Sequence, residues 1–240
     1  MSTAIITGGA SGLGRLHALR LAGESYVVAI LDINAEGLSE VSGHASNIHP
    51  HQCDVTKLEQ VRAAVEAIID EHGPIDRLVC CAGVMPGGLL LDSSAEQVGQ
   101  IMQVNYGGMV NVCQTVIPAM VQRDRGEVIL YGSSVGIMPM ARLGGYGASK
   151  AANNFYAKLL IAENKSKVRM TVVYPPSVNT PLLDQAKDGP PILHTAFGRR
   201  FLTVEPQGVV EAAEKSVRRG KAVCYPGMLP RIIAMASWFS

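Results

Sequence analysis

Thr3-Ala4-Ile5-Ile6-Thr7 runs directly into Gly8-Gly9-Ala10-Ser11-Gly12-Leu13-Gly14, and Arg15 to Ala22 follows. The first five residues are apolar or β-branched and read as a buried strand. The last eight carry Leu16, Leu19 and Leu21 and read as a helix. Strand, glycine-rich turn and helix form the arrangement that holds a dinucleotide. Glycines let the backbone turn tightly and approach a pyrophosphate, which then sits at the positive end of the helix. Gly8, Gly12 and Gly14 give G-x-x-x-G-x-G, not the G-x-G-x-x-G spacing. A plain strand-to-helix connection would read the same way, so the neighbouring sequence must decide.

Tyr26-Val27-Val28-Ala29-Ile30-Leu31 is a continuous apolar run, as expected of a parallel strand buried on both faces. Asp32 ends it. An acidic residue there can accept hydrogen bonds from the adenosine ribose hydroxyls and would repel a 2′-phosphate, which favours NAD over NADP. The competing role is a helix cap before Asn34-Ala35-Glu36. The alternation continues. Strands are expected at 48–53, 76–82, 126–131, 168–174 and 221–225. Helices are expected near 35–45 and at 57–71, 94–104, 105–122, 146–163 and 205–219, with Ser94 as a cap and Gly107-Gly108 interrupting the fourth of them. This pattern predicts a single α/β domain over residues 1–240, a Rossmann-like doubly wound parallel sheet flanked by helices. Ligands of such sheets bind beyond the carboxyl ends of the strands. Asp32, Asp54, Gly83, Ser133, Ser134 and Pro175 all stand at such ends.

Composition narrows the function. The 240 residues carry 21 basic and 20 acidic side chains, a net charge of +1, with no basic block to suit nucleic acid. The five cysteines include no C-x-x-C, so reduced thiols in a cytoplasmic protein are expected, and no disulfide framework or zinc site. His49-Pro50-His51 reads as loop, and no metal ligands are assigned. No signal peptide and no membrane-spanning run is expected.

Tyr146-Gly147-Ala148-Ser149-Lys150 places a phenol and an ammonium one helical turn apart. A tyrosine is a poor acid–base group at its ordinary pKa of about 10, and a neighbouring cation brings it toward neutrality. The pair is thus a candidate proton-transfer unit, although Tyr-x-x-x-Lys also arises by chance.

In order and spacing, Thr7 to Gly14, Asp32, Asp54-Val55, Ala82-Gly83, Asn105, Ser134, Tyr146 to Lys150 and Pro175 to Thr180 resemble the classical short-chain dehydrogenase/reductases. The resemblance implies that Tyr146 is the catalytic acid/base, that Lys150 lowers its pKa and binds the nicotinamide ribose, and that Ser134 hydrogen-bonds the substrate oxygen. Asn105 would hold a water in a proton relay behind Lys150. Gly8, Ser11, Gly12, Leu13, Gly14, Asp32, Ile33, Asp54, Val55, Ala82, Gly83, Pro175, Val178 and Thr180 would surround the NAD. Counting forward from the strand selects Ser134, whereas counting back from Tyr146 selects Ser133; the strand is taken as the firmer register. Cys80-Cys81 replaces the family's Asn-Asn, removing amides that brace the sheet, and Pro175-Pro176 replaces its Pro-Gly. The resemblance also implies a homodimer or homotetramer through the helices holding Asn105 and Tyr146.

Residues 181–203 are expected to form a substrate lid. Leu182, Leu183, Ile192, Leu193 and Phe197, with Met85, Met138 and Met140, suit an apolar alcohol or ketone, or serve only to pack the lid down. The apolar tail 228–240 is expected to cover its own or a neighbouring subunit, with a membrane-surface contact as the alternative. An NADPH-dependent carbonyl reductase and a non-catalytic NAD(H)-binding sensor or scaffold are the rival readings.

Overall fold

Strands whose side chains are apolar on both faces can be buried only between two helical layers, and that requirement sets the architecture. A computed structural model describes residues 1–195 and 203–227. The strands are β1 (Thr3–Thr7), β2 (Val27–Asp32), β3 (Ile48–Gln52), β4 (Ile75–Cys80), β5 (Glu127–Tyr131), β6 (Arg169–Val173), β7 (Ser177–Val178), β8 (Thr203–Val204) and β9 (Val223–Cys224). Seven of them form one parallel sheet in the order β3-β2-β1-β4-β5-β6-β9, and β7 and β8 pair separately. The helices are α1 (Gly12–Gly23), α2 (Ala35–Ser42), α3 (Leu58–His72), α4 (Ala95–Met102), α5 (Gly108–Gln122), α6 (Gly144–Glu163), α7 (Pro181–Asp184) and α8 (Pro206–Arg218).

The sheet divides the core in two. On one face, Ile5, Ala29, Leu31, Leu78 and Val128 meet Val61, Val65 and Ile68 of α3, Val112 and Val116 of α5, and Ala157 of α6. On the other, Ile6, Val28, Ile30 and Ile129 meet Leu21 of α1, Leu38 of α2, and Val209 and Val217 of α8. Each buried Val, Leu or Ile among them is worth about 1.5–3 kcal/mol, so these two layers dominate the stability.

Two local readings change and one is met. His49, Pro50 and His51 belong to β3, not to a loop; β3 is an edge strand, where a proline costs no ladder bond. Gly107 and Gly108 do not break the helix. A π-helical turn, Gln103–Gly107, joins α4 to α5. The Ser94 cap is present as a full capping box with Gln97. Residues 196–202, including Phe197, and the expected tail at 228–240 lie outside the described residues.

Polar groups are buried between the sheet and α8. Arg77 of β4 donates to Glu214 of α8 at 3.0 Å and pairs with Glu127 of β5. His17 of α1 meets Glu214 Oε1 at 2.9 Å through Nδ1 and the Tyr131 phenol at 2.8 Å through Nε2. Burial holds His17 below the usual imidazole range. A neutral ring satisfies both contacts by donating to the carboxylate and accepting from the phenol. Burial opposes ionisation of Glu214, yet the His17 hydrogen bond and the Arg77 charge outweigh it and hold the carboxyl at about 2.

Candidate active site

The glycine turn is fixed by contact as well as by backbone angle. Gly8 has φ +67°, and a Cβ there would lie 2.8 Å from Ala82 N. A Cβ on Gly14 would lie 2.1 Å from Gly8 O, so α1 starts hard against the turn. Ser11 precedes α1 without a side-chain cap, leaving the first-turn amides available to an anion. Asp32 Oδ2 accepts from Ala10 N–H at 3.1 Å and Oδ1 from Asn34 N–H at 3.0 Å. A carboxylate has about four acceptor positions, so ribose hydroxyls can still bond to it.

Beyond the carboxyl ends of β1, β2 and β4 lies a cleft of about 610 Å³. Gly8, Ser11, Gly12, Leu13, Gly14, Asp32, Ile33, Asp54, Val55, Ala82, Gly83 and Thr180 all line it. Ile33 is 67% exposed at its rim, an apolar surface suited to a flat base. The uncapped helix end, the glycine wall and the Asp32 carboxylate fit a nicotinamide dinucleotide. Cys80-Cys81 does not leave the sheet end unbraced, because Thr7 Oγ1 accepts from both Cys81 N–H and Ala82 N–H at 3.2 Å.

The cleft opens at Leu13, Cys81, Thr180 and Leu182 into a second cavity of about 340 Å³. Its walls include Met85, Met138, Met140, Leu182, Leu183, Ile192 and Leu193, so the expected lid residues gather there. Leu183 and Leu193 also share a buried cluster with Tyr146. Ser133, Ser134, Tyr146, Lys150, Pro175 and Val178 line the same cavity.

Tyr146 and Lys150 lie in α6, one turn apart, with Lys150 Nζ 5.9 Å from the phenol ring centroid. Nζ donates to Tyr131 O at 2.9 Å. Burial lowers Lys150 to about 8. Burial also pushes the Tyr146 phenol up to about 12, opposed by a hydrogen bond with Ser133. The expected depression of the phenol by Lys150 is outweighed by burial. Desolvation resists both charges, and the ammonium is directed at a carbonyl rather than at the phenolic oxygen.

Ser133, not Ser134, meets the phenol. Ser133 is extended, and its Oγ accepts from Val135 N–H at 3.2 Å; Ser134 opens a 3₁₀ turn and donates its N–H to Pro175 O at 3.1 Å. Gly132 ends the alternation of β5, so counting along the strand does not decide which serine turns toward the phenol. Asn154, one turn beyond Lys150, fixes Ser133: Oδ1 accepts from Ser133 N–H at 3.1 Å, and Nδ2 donates to Ser133 O at 3.0 Å. Sequence reasoning missed Asn154, although the spacing of four from Tyr146 through Lys150 to Asn154 was visible.

Asn105 sits in the π-helical turn, fully buried, and lines neither cavity. It stands behind Gly83, whose Cβ would lie 3.0 Å from Asn105 Oδ1. Its amide accepts from Val84 N–H at 2.8 Å and donates to Ser149 Oγ at 2.9 Å. Ser149 in turn donates to Tyr146 O at 2.7 Å. Asn105 thus ties the β4 end to the helix carrying Tyr146.

A family profile described as short chain dehydrogenase matches residues 2–190. The chain is 32% identical to 3-oxoacyl-[acyl-carrier-protein] reductase FabG of Thermotoga maritima over 189 residues, 75% of this chain and 76% of that protein. It is 29% identical to human epidermal retinol dehydrogenase 2 over 238 residues, 95% of this chain and 74% of that protein. To the probable oxidoreductase EphD of Mycobacterium tuberculosis it is 33% identical, spanning 73% of this chain and 31% of that longer protein. The fold also matches a short chain dehydrogenase/reductase from Burkholderia phymatum solved in complex with NAD (TM-score 0.85, 22% identity, 98% of this chain and 91% of that one). A short-chain dehydrogenase from Sphingobium yanoikuyae in complex with NADPH matches with TM-score 0.84 at 24% identity, over 100% of this chain and 94% of that one. With the glycine turn, the Tyr146–Lys150 pair and the parallel sheet in place, the chain belongs to the short-chain dehydrogenase/reductase family and is an oxidoreductase.

Proposed function

We propose that the chain interconverts an apolar secondary alcohol and its ketone with NAD. The observation that carries this reading is that Ser133 and Tyr146, hydrogen-bonded to each other, line an apolar cavity that shares Leu13, Cys81, Thr180 and Leu182 with the dinucleotide cleft. A nicotinamide bound in the cleft supplies or accepts the hydride. Tyr146 gives its proton to the substrate oxygen in reduction and recovers it in oxidation. Ser133 holds the same oxygen by a second hydrogen bond, and Asn154 keeps Ser133 in place. Lys150 offers a positive charge beside the phenol in a buried site, where it favours the phenolate as that forms.

The serine assignment has a direct test. Ser133→Ala is expected to lower kcat by about 10²-fold, the usual effect of removing one donor to a reacting oxygen. Ser134→Ala should leave steady-state kinetics close to wild type. The reverse ranking would restore the strand-based count.

Asp32 supports NAD over NADPH, because a 2′-phosphate would meet its carboxylate. In Asp32→Ala, NADH affinity is expected to fall by about tenfold to a hundredfold, the worth of hydrogen bonds to a charged acceptor. NADPH affinity should rise in the same variant. Fluorescence titration with each nucleotide checks both, and unchanged NADH binding would remove Asp32 from the ribose site.

Self-association and a cytoplasmic setting belong to the same proposal. Phe155 and Leu159 of α6 are 67% and 44% exposed, apolar surface suited to a second copy. Cys53, Cys80, Cys81 and Cys113 are free thiols, in keeping with a reducing compartment. Among the described residues no helix is long and apolar enough to cross a membrane.

A further inference from the structure

We propose that His49, His72 and Glu71 form a second site, remote from the catalytic cleft, that binds a divalent transition-metal ion, foremost zinc. No local motif announces it, because its ligands come from two elements. His49 and His51 of β3 pair in register with Ala29 and Leu31 of β2. Those two residues belong to the core layer that α3 covers, so both imidazoles face α3. The last turn of α3 brings Glu71 and His72 to the same place. One donor atom from each of His49, Glu71 and His72 lies within 4.8 Å of the others. Tetrahedral zinc with bonds of about 2.0–2.1 Å sets its donors roughly 3.3 Å apart, so modest side-chain rotation closes the set.

A second observation points to a ligand. The His72 side chain is 10% exposed, and its Nε2 is buried without a hydrogen-bond partner; the nearest carboxylate oxygen, Glu71 Oε1, is 3.6 Å away. His51 Nε2 is likewise buried and unpartnered. Buried polar atoms normally find a partner, so two such nitrogens on one face call for an explanation. The His49 and His72 ring centroids are 4.2 Å apart. Two imidazoles and a carboxylate form a zinc donor set. The carboxyl end of α3 adds a favourable dipole for a cation. His72 O accepts from Thr3 Oγ1 at 2.8 Å, which places the site at the amino end of β1, opposite the cleft. A bound ion would clamp the edge strand to its covering helix without entering the chemistry.

The test uses the tag-free full chain, with zinc chloride in calorimetry and thermal denaturation and cobalt(II) as an absorption probe. We expect one ion per chain, a raised melting temperature, and cobalt bands of a nitrogen- and oxygen-ligated site. His72→Ala should weaken binding by more than the roughly 10–100-fold that loss of a mere supporting group costs. Glu71→Gln, on an exposed side chain, keeps the test open if His72→Ala fails to fold, and should also weaken binding. Retained oxidoreductase activity in both variants would separate this site from the catalytic one. Zinc that fails to bind at millimolar concentration, binds both variants as it binds wild type, or is lost instead in Cys81→Ser would overturn the proposal.

Discussion

Tyr146→Phe is expected to cut turnover by about 10²–10⁴-fold, the range that a positioned acid–base group supplies. The phenol is buried, hydrogen-bonded to Ser133 and held near 12, so it is protonated throughout the neutral range and ready to donate to a ketone oxygen. Phenylalanine keeps the ring and its packing against Leu183 and Leu193 while removing the proton. Cofactor affinity and melting temperature should stay near wild type. Loss of NADH binding in this variant would make Tyr146 a structural residue of the cleft, and full turnover would place the proton donor elsewhere.

The largest expected effect on stability lies away from the cleft. Arg77→Met should destabilise the fold by about 3–5 kcal/mol, because Glu214 and Glu127 would lose a buried cation. Changing Glu214→Gln in the same chain should recover part of that loss, which a double-mutant cycle in denaturant would measure. Acid gives an independent reading. The folded-state pKa of Glu214 is depressed from 4.5 to about 2, so its contribution is complete above 4.5 and is lost as pH falls toward 2. Glu214→Gln should therefore flatten the stability curve in that window. This network also touches the site. Tyr131 bonds His17 through its phenol and Lys150 through its carbonyl, so Arg77→Met is expected to disturb activity mildly as well.

The sheet was legible because most of β1 and β2, residues 78–80 of β4 and residues 128–130 of β5 are apolar on both faces, a pattern that few other arrangements can bury. Gly8, Gly14 and Asp32 were legible because each has a chemical reason to stand where it does. The choice between Ser133 and Ser134 was not, since the turn after Gly132 sets side-chain direction and strand counting stops there. The phenol's upward shift was also hidden, because desolvation depends on the lid and on packing from distant parts of the chain. His49 and His72 meet only when β3 pairs with β2 and α3 folds back across them. No window of sequence shows that meeting.

The most direct test of the central reading is turnover of a panel of apolar secondary alcohols by the purified chain, with NAD and NADP compared in parallel. The account predicts ketone formation coupled to NADH production, faster with NAD than with NADP and largely lost in Tyr146→Phe. Tight NADH binding without turnover of any alcohol, or of the matching ketones with NADH, would contradict it and leave a nucleotide-binding sensor in its place.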